Sequence, residues 1–332
     1  MFQNTICSIK PLDIEAMEKC QLRLDNLTKP LGSLHSFEKI ARQMAGITGN
    51  HRPKILKKSM IIMKGITGDD PSESIAIRVF AQHVSAELIL LDMEKEKITY
   101  GIQNSIEGPP MTKEQVQQAI EVGIKIAQKQ VEKGCCIIGL GVLGTGVTIS
   151  SIGIISCFST KSIVDLVGMN TTLCQEVAKN RWDILETALS KKQPNGKDPL
   201  DVLRKIGNLE LAGLVGVILG AAAGGSAVVL DGLGTSAAAL LAVHIAPQVK
   251  DYLLASHFAM EPAHREVLQL ISLPGYLHLG IQSEEGIGAT LGMSLINASL
   301  HVINDMKTFG EAKVAVAQDG PGALKQCSDV KD

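Results

Sequence analysis

Short apolar runs alternate along the chain with longer segments of helical periodicity. The apolar runs that predict strands are Met60–Met63, Cys135–Leu140, Ala227–Leu230 and Tyr252–Ala255. The segments that predict helices are Pro71–Met93, Thr112–Glu132, Gln175–Ser190, Glu210–Ala223, Ser236–Ile245 and Gly288–Lys307. Because short buried strands that alternate with helices are typical of a parallel sheet covered by helices, the pattern predicts an α/β fold.

Both ends of the chain are predicted to be helical. Two amphipathic patterns lie between Asp13 and Gly46, separated by a Pro- and Gly-containing turn, and Ser33 is the predicted N-cap of the second helix. Thr112 and Gln115 have the spacing of a capping box at the start of a later helix. The last long helix is expected to return toward the N-terminal helices.

Composition narrows the class of protein. Hydrophobic residues make up 45% and charged residues 20% of the 332, which allows a sizeable core. Lys and Arg number 32 against 34 Asp and Glu, so the formal charge of -2 argues against a nucleic-acid binder. The seven cysteines lack CxxC spacing, and no secretory signal is visible at the N-terminus, so the sequence predicts a cytoplasmic protein without a disulfide framework or zinc site.

One uncharged stretch is long enough to raise the question of a membrane. Leu211–Leu230 contains no charged residue. However, Gly224 and Gly225 interrupt it, and a β-branched run ends it at Asp231. The segment therefore predicts a buried helix, a turn and a buried strand, and no membrane partner is expected.

The loops that follow the predicted strands are where ligands bind in parallel α/β folds. One of them, Gly139–Gly146, contains the spacing G-x-G-x-x-G, which brings backbone N–H groups close to a phosphate. A plain tight turn explains the motif equally well. A dinucleotide site also needs an acidic residue at the end of the next strand, and Asp165 has the distance without the strand–helix–strand pattern.

Other strand-end loops carry titratable side chains with two interpretations each. Glu284 and Glu285 precede a helix, where they could cap it or act as a general base in an apolar pocket, and spacing alone favours capping. Asp231 suits a ligand loop or a tight turn. His257, Glu261 and His264 lack the spacing of a metal site and are expected to shape a loop, so no metal is predicted.

Six segments together resemble the nicotinate-nucleotide–dimethylbenzimidazole phosphoribosyltransferase family. They read LDNLTKPLGSL, GPPMTKEQVQQAIEVG, DPLDVLRKIGNLELAGLVGVILGAAA, VVLDGLGTSAAAL, VKDYLLASHFAMEPAH and EGIGA. The similarity extends from about Leu22 to Phe309. Six segments in the same order are far more specific than any single glycine motif.

The resemblance implies a Rossmann-like parallel sheet flanked by helices, with a small helical domain formed from both chain ends. The expected boundaries are residues 1–50 and 301–332 for the small domain and 51–300 for the large one. The implied reaction moves phosphoribosyl from nicotinate mononucleotide to an aromatic base, the lower ligand of a cobamide, without a cofactor. Glu285, in E-G-x-G-A, is the implied general base. The implied substrate-binding residues are Gly144, Thr145, Gly146, Thr148, Asp231, Ser256, Gly286 and Gly288.

Three loops depart from the family pattern. Residues 64–68 read K-G-I-T-G where the family has A-G-D-H-G, and residues 141–149 carry Val142 and Val147 where the family has Glu and Asn. Residues 168–175 lose glycines and both acids of G-x-G-T-G-[LIV]-D-D. A side chain in place of glycine narrows the approach that phosphate needs. The family includes a heterodimeric branch that acts on phenol or p-cresol, and this chain resembles its more divergent subunit.

Three functions therefore stand open at this stage. The chain could be an active phosphoribosyltransferase, as a homodimer or completing its site with a paralogous subunit. It could be a non-catalytic subunit that supports a catalytic paralogue, which the lost acids favour over a self-sufficient enzyme. An NAD-dependent oxidoreductase, based on the glycine motif alone, is the remote alternative.

Overall fold

Five parallel strands form one sheet in a computed structural model that describes residues 1–54, 56–65, 75–93, 111–144, 146–168, 175–316 and 326. The strands are β1 (Lys57–Lys64), β2 (Ala86–Asp92), β3 (Cys135–Leu143), β4 (Ala227–Leu230) and β5 (Leu253–Ala255). Their order across the sheet is β2-β1-β3-β4-β5. The predicted Rossmann-like architecture of a parallel sheet flanked by helices is confirmed.

Helices cover the sheet and build the chain ends. They are α1 (Phe2–Cys7), α2 (Ile14–Asn26), α3 (Ser36–Thr48), α4 (Ile75–His83), α5 (Lys113–Glu132), α6 (Val147–Ser156), α7 (Ile163–Val167), α8 (Gln175–Lys192), α9 (Pro199–Ile206), α10 (Leu209–Ala223), α11 (Leu233–Ile245), α12 (Pro262–Leu270), α13 (Ile287–Asp305) and α14 (Phe309–Ala312). The predicted capping box at the start of α5 is confirmed, since Thr112 and Gln115 bond each other's backbone. A 3-10 turn, Pro247–Tyr252, leads into β5.

The uncharged stretch is the buried helix α10, a turn and β4, as the sequence predicts. Helix α10 approaches α5 so closely that a Cβ on Gly123 would overlap the carbonyl oxygen of Gly213. With few aromatic side chains to fill space, the chain obtains its packing from such close backbone contacts. Within the described ranges, no helix combines the length and apolarity that a membrane crossing requires.

Two local predictions were wrong. The pattern over Pro71–Met93 predicted one helix, but α4 ends at His83 and β2 follows. Ser85, between them, has the left-handed backbone conformation, with φ 54°. Because this conformation is uncommon for a non-glycine residue, the sequence does not predict the break. Ser33 does not cap α3; His35 holds that position, and Glu38 instead accepts a hydrogen bond from the N–H of Leu34 at 3.0 Å.

The chain folds into two compact units. The larger contains Met1–Lys10 and Lys57–Gly292, and the smaller contains Pro11–Leu56 and Met293–Asp332. These limits differ from the predicted domain boundaries at 50 and 300, most of all because the first ten residues group with the larger unit. Whether the units are independent domains stays a prediction.

The smaller unit is helical and joins both ends of the chain. Its core contains Leu24 and Leu27 of the N-terminal part and Ile303 of the C-terminal part. Arg23, which is only 4% exposed, donates to Ile303 O at 2.9 Å and pairs with Glu311 at 2.9 Å. A buried guanidinium needs such partners, so this pair ties the two chain ends together.

Candidate active site

The strand order identifies one crevice at the carboxyl edge of the sheet. In the order 2-1-3-4-5, β1 and β3 are the neighbours from which the chain leaves in opposite directions, and ligands bind at that point. Gly65 follows β1 and still donates its N–H to Leu143 O, the last residue of β3, at 2.8 Å. The pairing of the two strands therefore continues as far as Gly65 and Leu143.

Asp231, at the end of β4, holds the start of α13 in place. Its side chain is fully buried, and its two carboxylate oxygens accept from the N–H groups of Gly286 at 2.8 Å and Ala289 at 3.1 Å. These are N–H groups that a helix N-terminus leaves without an intrahelical partner. A residue 55 positions earlier thus caps α13. Whether Asp231 also contacts a substrate stays a prediction.

The segment before α13 lies against the end of β3. The N–H of Val142 donates to Glu284 O at 2.8 Å. A Cβ on Gly141 would lie 2.8 Å from both the carbonyl carbon and the oxygen of Glu285, so only glycine permits this approach. Gly286, with φ 96°, occupies the left-handed region that favours glycine. The glycines of E-G-I-G-A and of β3 therefore bring Glu285 to the carboxyl edge of the sheet.

Gly288, a predicted substrate-binding residue, lies between two side chains. They belong to residues that follow the neighbouring strands β4 and β5. A Cβ there would overlap the ring of His257 and lie 2.7 Å from Asp231 Oδ1. Its backbone also forms a hydrogen bond to Asp231. Its substrate contact stays a prediction.

Glu284 does cap a helix, but the helix is α11 rather than the α13 that follows it. Its carboxylate accepts from the backbone N–H groups of Gly234 and Leu233. A Cβ on Gly234 would lie 2.9 Å from Glu284 Oε2 and 2.8 Å from Val142 Cγ1. A carboxylate is thus retained beside Val142, the position at which the family pattern has Glu.

The acids of this site share an unusual electrostatic environment. Burial raises the pKa of Glu284 to about 8, and the negative charges of Asp231 and Glu261 raise it further, against the opposing backbone N–H groups. Burial also raises the pKa of Asp231 to about 7, opposed by its backbone hydrogen bonds, while the charge of Glu285 adds to the rise. Perturbed carboxyl groups clustered in one crevice are typical of functional sites.

These raised pKa values predict how stability depends on pH. The unfolded chain releases both protons near pH 4, whereas the folded chain keeps them to about pH 7 and 8, so the stabilisation is complete at low pH and is lost as pH rises through this window. Between pH 5 and 9 the unfolding free energy of the wild type should fall, and that of Glu284→Gln should fall by on the order of 1–3 kcal/mol less. Denaturant titrations at both pH values measure this difference.

Glu18→Gln, an exposed carboxylate on α2, is the control and should follow the wild type at both pH values. Parallel pH dependence of Glu284→Gln and the wild type would show that Glu284 does not retain its proton in the folded chain.

Ser256 follows β5 and lies beside two buried histidines, His257 and His264. Its Oγ lies 2.8 Å from His257 Nδ1, and both residues are fully buried. His264 accepts from the Ala259 N–H at Nδ1, so its Nε2 carries the proton and donates to Ser236 Oγ at 3.0 Å. Burial lowers the pKa of His257 and lowers that of His264 to about 3. Both rings are therefore neutral, and they shape the loop as the sequence predicts.

The glycine turn after β3 leads into a helix. Gly146, with φ 87°, is the N-cap of α6, and Thr148 lies exposed in its first turn. Thr145 lies outside the described residues, as does much of the departing loops at 64–68 and 168–175. Asp165 lies within the short helix α7, where its carboxylate accepts from Ser162 Oγ at 2.6 Å. It is not at a strand end, as the dinucleotide alternative requires.

One functional candidate, Glu210, was missed from the sequence. This residue is 6% exposed and lies in the first turn of α10, two positions after the N-cap Asn208. A Cβ on either Gly65 or Gly144 would overlap Glu210 Oε1, so its carboxylate lies against the ends of both β1 and β3. The sequence signal is a single acid at the start of an otherwise apolar helix, which is typical of a partner of the helix dipole.

Comparison with known proteins gives matches over nearly the whole chain. The family model described as phosphoribosyltransferase matches residues 9–68 and 71–314. A nicotinate-nucleotide–dimethylbenzimidazole phosphoribosyltransferase of Dehalococcoides mccartyi is 38% identical over 349 residues, covering 96% of this chain and 99% of the relative. The corresponding protein of Ruminiclostridium cellulolyticum is 36% identical over 343 residues, covering 94% and 97%.

The fold is similar to that of a solved structure with related sequence. The crystal structure of CobT from Thermus thermophilus superposes with a TM-score of 0.83 at 27% identity. The match covers 91% of this chain and all of the CobT chain. The similarity of fold thus extends over most of the chain.

Proposed function

The chain belongs to the nicotinate-nucleotide–dimethylbenzimidazole phosphoribosyltransferase family, and we propose that it transfers phosphoribosyl from nicotinate mononucleotide to a cobamide lower-ligand base. The observation that carries the proposal is the placement of Glu285. The E-G-I-G-A segment lies against Gly141 of β3, and Asp231 holds it from β4. The backbone of Glu285 is thereby held at the edge of the sheet where the substrate of such a fold binds.

Glu285 is the proposed general base. It takes the proton from the attacking nitrogen or hydroxyl of the base while that atom forms a bond to C1′ of the ribose. The bond between C1′ and the pyridinium nitrogen breaks at the same time, and its electron pair neutralises the ring as nicotinate leaves. Attack opposite the leaving group inverts C1′ and gives an α-ribotide. Positioning and one base can suffice, because nicotinate is a tolerable leaving group.

The buried acids assist by orienting rather than by reacting. Asp231 sets the position of Gly286 and Ala289 on either side of the helix start, and Glu284 accepts from the start of α11. Neither carboxylate is needed to take a second proton in the reaction. The proposed contacts of the phosphoribosyl group are Gly144, Thr145, Gly146, Thr148, Ser256, Gly286 and Gly288.

We further propose that the chain acts with a paralogous subunit on a phenolic base. The support is the altered end of β3, where Val142 is 2% exposed and cannot supply the carboxylate of the family pattern. A dimer site can borrow side chains across its interface. The same observation supports the second candidate function, a non-catalytic subunit that stabilises a catalytic paralogue.

Release of nicotinate from nicotinate mononucleotide tests the proposal. The chain is assayed alone and co-expressed with its closest paralogue, with phenol and with dimethylbenzimidazole in separate arms. We expect turnover with the paralogue, higher with phenol, and its loss when Glu285→Gln is confined to this chain. Turnover that survives this substitution unchanged would mean that the chain has only a supporting role.

A further inference from the structure

We infer that Glu210 is a substrate-positioning residue whose carboxylate accepts hydrogen bonds from the 2′- and 3′-hydroxyls of the ribose in nicotinate mononucleotide. This inference rests on the proposed function and adds a residue to it. The starting observation is the position of the side chain. Glu210 Oε1 lies so close to Gly65 and Gly144 that a Cβ on either would overlap it.

These two glycines mark the point at which β1 and β3 end. Gly65 donates its N–H to the last residue of β3, and Gly144 directly follows that residue. Glu210 is therefore placed at the crevice between the two strands from which the chain departs in opposite directions. The first turn of α10, which supplies this carboxylate, is fixed by the Asn208 side chain, which accepts from the Leu211 N–H at 3.0 Å.

The chemistry of the site selects which part of the substrate a carboxylate can face. Phosphate carries negative charge and binds to backbone N–H groups at loops and helix starts, so a carboxylate would repel it. An ionised carboxylate is an acceptor with two oxygens, which suits two adjacent hydroxyl donors. Acidic side chains bind ribose hydroxyls in the same way in doubly wound folds.

The close packing of Gly65 and Gly144 explains why the arrangement requires those residues. With a side chain at either position, the carboxylate would have to leave the crevice. Gly65 and Gly144 are also glycines that remain in two of the loops that depart from the family pattern. The ribose end of the site thus keeps its geometry although neighbouring positions have changed.

Affinity for substrates with and without each hydroxyl tests the inference. Calorimetric titration of the protein, co-purified with its paralogue where needed, uses nicotinate mononucleotide and its 2′-deoxy and 3′-deoxy analogues. We expect Glu210→Gln to weaken binding of nicotinate mononucleotide by roughly 10- to 100-fold, because a hydrogen bond to a charged group is lost. The same substitution should weaken binding of each single-deoxy analogue by a smaller factor, because only one of the two bonded hydroxyls is left to lose.

Two further variants separate recognition from folding. Glu210→Asp keeps the charge and should retain part of the affinity for nicotinate mononucleotide. This variant therefore still tests the inference if Glu210→Gln fails to fold into a binding-competent site. Glu266→Gln removes another buried carboxylate, which belongs to α12 and pairs with Lys161 and Ser159, and should leave nicotinate mononucleotide affinity unchanged.

The outcomes are distinguishable. An equal loss for all three ligands in both Glu210 variants would mean that Glu210 only supports the loops, and the inference would be wrong while the proposed function stands. Failure of the wild type to bind nicotinate mononucleotide at all would overturn the proposed function and the inference with it.

Discussion

Replacing Glu285 with Gln is expected to lower kcat for nicotinate release by roughly 10²- to 10⁴-fold, the usual contribution of a general base. The amide has nearly the same shape but cannot take the proton of the attacking base. Because Asp231 and Gly141 fix the backbone of this segment, the substitution should leave its position unchanged. The KM for nicotinate mononucleotide should therefore change little, and steady-state kinetics measure both quantities.

Glu114→Gln, an exposed carboxylate in the first turn of α5, is the control and should keep full activity. A kcat for Glu285→Gln within about 3-fold of the wild type would remove Glu285 from the chemistry. A rise in KM with kcat unchanged would instead indicate loss of binding that the ground state and the transition state share.

The second large effect is expected from Gly141→Ala, a single added methyl group. The new Cβ would lie 2.8 Å from the carbonyl of Glu285 and 2.9 Å from the N–H nitrogen of Gly286. These neighbours are backbone atoms, so the strain is relieved only if the segment that carries the base moves. A displacement of this kind can cost about 10²-fold in kcat, which steady-state kinetics would measure.

A double-variant cycle shows whether this loss acts through Glu285. In the Glu285→Gln background, Gly141→Ala should cost less than about 3-fold further, because the base is already absent. Losses that multiply in full would mean that Gly141 affects the site by another route. Thermal unfolding of each variant separates both results from a loss of folded protein.

Much of the architecture could be predicted from local sequence. The runs at Met60–Met63 and Ala227–Leu230 are short, apolar and bounded by polar or glycine residues, which is typical of buried parallel strands. The break before β2 could not be predicted, because Ser85 adopts a left-handed conformation that its residue type does not announce. The helix α6 was missed because the glycine turn before it drew the interpretation toward a loop.

The candidate site was predictable only where a motif carried it. Glu285 was placed by the E-G-I-G-A segment, whereas spacing around it favoured a capping role. Glu284 does cap a helix, but the helix is α11, which begins 51 positions before it in the chain, and not the helix that follows it. The cap of α13 comes from Asp231 instead. Contacts between residues so far apart in sequence have no local pattern.

The place of Glu210 in the crevice also depends on contacts between residues that are far apart in sequence. Its neighbours in sequence are the apolar residues of a buried helix, and its partners Gly65 and Gly144 lie at the ends of two different strands. Only the strand order, which makes β1 and β3 neighbours, brings the three together. The single acid at the start of an apolar helix is therefore a signal that indicates a partner of the helix dipole and not a place in the crevice.

Product formation from nicotinate mononucleotide and a lower-ligand base tests the central claim most directly. Proton NMR of a reaction that contains this chain with its closest paralogue follows nicotinate and the ribotide together, and the C1′ proton identifies the anomer. We predict equal amounts of nicotinate and α-ribotide, with no nicotinate formed when the base is omitted. Unchanged nicotinate mononucleotide in the complete reaction would contradict the assignment of a phosphoribosyl-transfer site to this chain.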